Sequence, residues 1–86
     1  MRKLTGNDIQ NIIGAVNEGY TIKHARIKCG NYSDSDHFGI AFAKDERGYC
    51  VTWEFKLSDD NKTVDYYWGH YIADERAAMD DFYTRE

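Results

Sequence analysis

Between residues 49 and 72 apolar and polar side chains alternate, break for a polar interval, and alternate again. Tyr49, Val51, Trp53, Phe55 and Leu57 interleave with Cys50, Thr52, Glu54 and Lys56, the period of two that gives a β-strand two unlike faces. Past residues 58–63 the pattern resumes as Val64, Tyr66, Trp68, His70 and Ile72 against Asp65, Tyr67, Gly69 and Tyr71. This stretch predicts a β-hairpin. Pairing Leu57 with Val64 sets Phe55 opposite Tyr66, Trp53 opposite Trp68 and Val51 opposite His70, so one register gathers the apolar set on a single face.

Residues 37–44 supply another strand, with Phe38, Ile40 and Phe42 on one parity and Gly39, Ala41 and Ala43 on the other. Pairing Lys44 with Tyr49 brings Phe38 to Phe55, Ile40 to Trp53 and Phe42 to Val51, which extends the same apolar face. Over residues 20–29 the apolar parity switches, from Tyr20 and Ile22 to Ala25, Ile27 and Cys29. A bulge near His24 explains the switch, because one extra residue moves the following side chains to the other face. Helices are predicted at both ends. Thr5 and Asp8 form a capping box and Leu4 and Ile9 a hydrophobic staple; Ile9, Ile12, Ile13 and Val16 make the buried stripe, which Gly19 ends. Asp74 caps a closing helix whose stripe is Ala78, Met79, Phe82 and Tyr83. The expected fold is α+β, one domain over residues 1–86. It is a four-stranded antiparallel meander in the order α-β-β-β-β-α, with both helices packed on the Phe38/Trp53/Trp68 face.

A chain of 86 residues supports one modest core, and an aromatic content of 15% fills it with few side chains. No apolar run approaches a membrane span, and Met1, Arg2 and Lys3 lead straight into the capped helix, so no membrane partner and a cytoplasmic location are expected. Cys29 and Cys50 are too few for a disulfide scaffold and lack the spacing of a redox or zinc motif. A net charge of −4 disfavours direct nucleic-acid binding, which draws much of its affinity from phosphate neutralisation, and allows a basic protein surface as partner.

On the second sheet face these registers assemble Arg26 and Lys28, then Gly39, Ala41 and Ala43, then Cys50, Thr52 and Glu54, then Tyr67, Gly69 and Tyr71. A floor of small residues edged by tyrosines and charges suits a partner strand, helix or second copy of the chain; the alternative is an ordinary solvated face. Catalytic and metal chemistry find little support. Asp34, Asp36, Gly39 and Asp45 follow a calcium-loop count, but Phe38 stands where a ligand belongs and Asp45 replaces the closing Glu. In the expected registers Cys50 has no histidine beside it, and His70 reads as a core histidine. No catalytic residue, metal site or cofactor is therefore expected.

The capped first helix, the segments VTWEFKLSDD and DYYWGHYI, and the tail ADERAAMDDFYTRE resemble the small acidic α-β-α proteins carried by phages and conjugative elements of Gram-positive bacteria, some of which are anti-CRISPR inhibitors. The resemblance implies stoichiometric binding to a protein target, such as a nucleic-acid-binding complex. The expected partner-binding residues are Tyr67, Tyr71, Glu54, Thr52 and Arg26 on the sheet, and Asp74, Glu75, Asp80 and Asp81 on the acidic closing helix. A homodimer through the sheet face is compatible with this reading. The alternative is a nucleic-acid-associated accessory protein using Lys23, Arg26, Lys28 and the sheet tyrosines.

Overall fold

The computed structural model describes residues 3–28, 37–60 and 62–85. The chain is an α+β fold: α1 (Gly6–Ile12), β1 (Val16–Asn17), β2 (Tyr20–Ile27), β3 (Gly39–Lys44), β4 (Cys50–Leu57), β5 (Val64–Ile72) and α2 (Glu75–Thr84). Among the described residues the strands form one antiparallel sheet in chain order, five strands where four were expected. Among the described residues no helix is long and apolar enough to cross a membrane.

The predicted caps form. The Thr5 hydroxyl accepts from the Asp8 amide, and the Asp8 carboxylate accepts from the Thr5 amide at 2.8 Å. The first helix is shorter than its apolar stripe implied. It stops after Ile12, Gly14 takes a left-handed turn (φ 95°), and Ala15 and Ile22 are already joined by a 2.8 Å backbone bond. Val16 therefore lies in a strand, 67% exposed, rather than on the helix. Glu18 and Gly19, both at positive φ, make the two-residue turn into β2; such turns match the right-handed twist of the flanking strands. A strand of two residues is too short to show a period, which is why the helical reading ran through it.

The bulge expected near His24 is present, with Lys23 the unpaired residue between the Ile22–Ala43 and His24–Phe42 pairs. The Leu57–Val64 and Phe55–Tyr66 pairs of the central hairpin also form. The β3–β4 register differs by one: Lys44 pairs with Cys50, not Tyr49. Asp45 explains the longer connection, because its carboxylate accepts from the amides of both Arg47 and Tyr49 at 2.9 Å and holds an extra residue in the turn. A one-residue slip in a period-two strand moves every side chain to the other face. Gly39, Ala41 and Ala43 consequently stand opposite Phe55, Trp53 and Val51.

The sheet is buried on both sides, and each side has its own helix. Leu4 and Ile12 from α1 pack with Ile22, Ala41, Ala43, Val51, Trp53 and Phe55. Ala78 and Phe82 from α2 pack with Ile40, Phe42 and Cys50 on the other face. This corrects the placement of both helices on one face. The small residues do not line an open floor; they make room for aromatic neighbours. A Cβ on Gly39 would lie 2.3 Å from the Phe55 ring. The sheet also curls, so that the β1–β2 turn reaches β5 and the Tyr71 hydroxyl donates to Glu18 at 2.9 Å.

Candidate functional site

Among the described residues β5 is an edge strand, paired only with β4, and its pairing is interrupted in the middle. Glu54 faces Tyr67 and Thr52 faces His70, leaving Trp68 and Gly69 together opposite Trp53. Two residues against one is a β-bulge. Its first residue, Trp68, has φ 52°, and its side chain is 75% exposed. A bulky residue in the left-handed region is a true outlier, since its Cβ crowds its own carbonyl. Gly69 follows for a different reason: a Cβ there would lie 2.8 Å from the Tyr71 ring and 2.9 Å from the Trp53 indole nitrogen.

A polar cluster behind Trp68 fixes the bulge. Arg85, just past α2, donates to the Trp68 carbonyl, to the Thr52 carbonyl at 2.9 Å and to the Thr52 hydroxyl at 3.1 Å. Thr52, fully buried, in turn donates to Asp81 at 2.5 Å, and His70 Nδ1 lies 2.9 Å from the same carboxylate oxygen. Burial pushes the Asp81 carboxyl up, but the hydrogen bonds of Thr52 and His70 and the charges of His70 and Arg85 prevail and hold it below its ordinary value. Burial lowers the Arg85 guanidinium, against the pull of Asp81 and Glu54. His70, expected among core residues, is instead on the α2 face, because the bulge switches the parity of β5 after Tyr67.

The same switch separates the two tyrosines that were expected to share a surface. Tyr67 lies opposite Glu54, half-buried, with Lys56 Nζ 5.7 Å from its ring centre. Tyr71 lies opposite Val51 on the other face and is 58% exposed. Arg26 caps α2 from outside: its Nε donates to the Phe82 carbonyl at 2.8 Å, a second nitrogen donates to the Arg85 carbonyl, and its guanidinium carbon stands 5.7 Å from the Phe82 ring centre. Lys28 pairs with Glu54 at 3.0 Å, and Lys23 is exposed in the β2 bulge. Of the three cations of the accessory-protein alternative, Arg26 and Lys28 are thus both held by partners within the fold.

Most of the acidic helix is also occupied internally. Asp74 accepts from the Ala77 amide at 3.0 Å as the N-cap of α2, and Glu75 pairs with Lys44 at 3.0 Å. Asp81 turns toward the sheet, while Asp80 stands exposed. Cys50 is buried under α2. Cys29, Asp34 and Asp36 lie outside the described residues, and among those described no group of three or more His, Cys, Asp or Glu is placed to hold a metal.

Trp68 and Arg85 were absent from the expected site. Strict alternation placed Trp68 in the core, and the signal that pointed elsewhere was the Trp-Gly pair within an otherwise regular strand, since glycine inside a strand marks a bulge or a close approach. Comparison with known protein families, with curated proteins and with solved structures finds no match for the chain.

Proposed function

We propose that the chain is a non-enzymatic binding protein that docks onto a protein partner through the outer side of β5, with Trp68 as anchor. One observation carries this reading: a tryptophan 75% exposed on a left-handed backbone, tied in place by Arg85. That conformation costs about 1–2 kcal/mol for a residue with a Cβ, and glycine would avoid the cost. Strain of this kind concentrates where a side chain is aimed for use. Tryptophan, tyrosine and arginine dominate the energy of protein interfaces, and a backbone held in place before binding lowers the entropy lost on contact. Exposed Asp59, Asp60 and Asp65 on the same hairpin suit a basic partner surface. A stoichiometric inhibitor of a nucleic-acid-binding complex, the class that the sequence resembles, is the form of this function to test first, because such a complex presents a basic groove.

The test uses Trp68→Gly, which relieves the backbone and removes the anchor. The folded wild-type chain, the variant and a control, Tyr83→Ser on exposed α2, are each used as bait for proteins cross-linked in cells. A partner retained by wild type and control, and lost with Trp68→Gly, is the expected result. Equal retention by all three baits rejects the reading. Solution mass by light scattering, run on the same samples, tells whether the partner lost is a second copy of the chain.

A further inference from the structure

The two edges of the sheet face each other across a groove. Among the described residues β5 closes one side of the sheet and the two-residue β1 the other, and the curl that brings Tyr71 to Glu18 leaves a cavity of about 450 Å³ between them. One wall is Asn17 and Glu18, where β1 turns into β2, and the other is residues 64–67 of β5. Those four residues are consecutive. Val64 and Tyr66 pack against the α1 cluster, whereas Asp65 and Tyr67 have the opposite parity, across from Lys56 and Glu54. A cavity on either face of a strand would touch alternate residues only. One bordered by all four runs along the backbone edge, where the amide and carbonyl groups that β4 does not use point outward. The bulge at Trp68 and Gly69 ends this regular edge after Tyr67.

Val64 is shared with a second cavity, of about 200 Å³, walled by Ile12, Ala15, Leu57 and Val64 and rimmed by Asp8 and Asn11. It is smaller than the roughly 300 Å³ at which sites for whole small molecules begin, and suits one aliphatic side chain. A strand edge beside an apolar pocket is the arrangement by which an extended peptide adds to a sheet: backbone bonds supply affinity and the pocket selects a side chain. Charge gives the sign of the occupant. Among the described residues the two cavities are lined by three carboxylates, Asp8, Glu18 and Asp65, and by no lysine, arginine or histidine. Asp65 stands across from Lys56, so the sign rests on Asp8 at one end and Glu18 at the other; the Thr5 and Tyr71 hydroxyls donate to them without neutralising either. We propose that residues 64–67 receive an extended segment of a partner protein, with an aliphatic side chain in the Ile12/Ala15/Leu57/Val64 pocket and a lysine or arginine two residues away beside Glu18. Two residues is the spacing that returns side chains to one face of a strand. This segment belongs to the partner whose docking on β5 is proposed above, a reading on which it rests, but the groove is tested on the isolated chain and so stands or fails separately.

Two acetylated and amidated peptides, Thr-Leu-Thr-Lys-Thr and Thr-Lys-Thr-Leu-Thr, cover the two directions in which a strand can lie, and each is titrated into the isotope-labelled chain with its backbone amides observed by NMR. One order is expected to shift the amides of residues 64–67. In that peptide, glutamate in place of lysine and alanine in place of leucine should each weaken binding about tenfold. N-methylation of each peptide bond in turn is the sharpest check. Successive residues of a strand direct their amides to opposite sides, so methylation is expected to abolish binding at alternate positions and to spare it at those between. Side-chain contact without strand pairing shows no such alternation, and that result overturns the proposal. So does a glutamate peptide that binds as well as the lysine one, or the absence of any amide shift with either order at about 5 mM. Light scattering on the peptide-free chain covers the remaining occupant: a dimer whose residue 64–67 amides are already protected from exchange gives the edge to a second copy, and overturns the proposal too.

Discussion

The two faces of the sheet are packed by different means. Against α1 the contacts are those of shape: Gly39 under Phe55, Ala41 beside Trp53, Ala43 beside Val51, with Tyr20 and Tyr66 edge-on or tilted against the Trp53 ring at 5.8 and 5.2 Å. Against α2 there is a small apolar cluster, and then a set of directed polar ties. Arg26 reaches the carbonyls of Phe82 and Arg85, Arg85 reaches those of Thr52 and Trp68, and Thr52 and His70 share Asp81. Apolar contact is indifferent to a small rotation, whereas these bonds fix where α2 ends relative to β4 and β5. The α1 face therefore carries more of the stability, and the α2 face sets the geometry of the bulge that presents Trp68.

The largest effects are expected on the α1 face. Phe55→Ala should cost about 3–5 kcal/mol, because a fully buried ring leaves a cavity that a sheet cannot close. Gly39→Ala introduces a methyl 2.3 Å from that ring, which is overpacking of a rigid neighbour, and should cost about 1–3 kcal/mol. Chemical denaturation measures both, and the pair supplies its own check. Gly39→Ala combined with Phe55→Leu should be more stable than the sum of the two single changes implies, since the smaller side chain yields space. Strict additivity would show that Gly39 is not there for the Phe55 ring.

Size pattern and polar geometry were unequally readable from the chain. The capping box, the Asp74 cap, the Lys23 bulge and the first half of the central hairpin were all legible, because each rests on residues close in sequence with one local solution. The faces were not. Their assignment depended on whether Lys44 meets Tyr49 or Cys50, and both choices keep the apolar residues together; the Asp45 turn decides it with two backbone bonds that composition does not reveal. At the site, Thr52, Asp81 and Arg26 were named as candidates but as partner contacts, while the structure engages them in contacts between α2 and the sheet. Contacts such as Arg26 to Phe82, 56 residues apart, leave no periodic trace. Trp68 was missed because alternation alone made it a core residue.

Intermediate effects belong to the polar ties. Thr52→Val keeps the volume and removes a buried hydroxyl that donates to Asp81 and accepts from Arg85, at a cost of about 1–2 kcal/mol. Arg26→Gln should cost a similar amount, about 1–2 kcal/mol, and should act locally, because it withdraws both charge and donors from the C-terminus of α2. Hydrogen exchange of the amides at the end of α2 is expected to accelerate before that of β4; uniform acceleration would place Arg26 in global stability instead. Acid titration tests the Asp81 tie by sign. The folded carboxyl titrates below its unfolded value, so its contribution is full above about pH 4 and is lost as pH falls through the lowered folded value. Asp81→Asn should lower stability at neutral pH and flatten the acid limb of the stability curve relative to wild type. Parallel curves for the two proteins would mean that the carboxyl gains nothing from Thr52 and His70.

The smallest effect on stability, and the only one expected to be favourable, comes from Trp68→Gly. The ring is mostly in water, so its removal forfeits little burial, and the Arg85 bond to the residue 68 carbonyl belongs to the backbone and survives the change. Glycine relieves the left-handed conformation but adds freedom to the unfolded chain, and the two terms oppose each other. The balance should leave stability unchanged or raise it by up to about 1 kcal/mol. Trp68→Ala keeps a Cβ at φ 52° and should be the less stable of the two variants, although alanine retains more of the original side chain. Thermal unfolding of both separates strain from packing. If Trp68→Gly is the less stable variant, the ring supports the fold, and its place at the centre of a docking surface loses its physical basis.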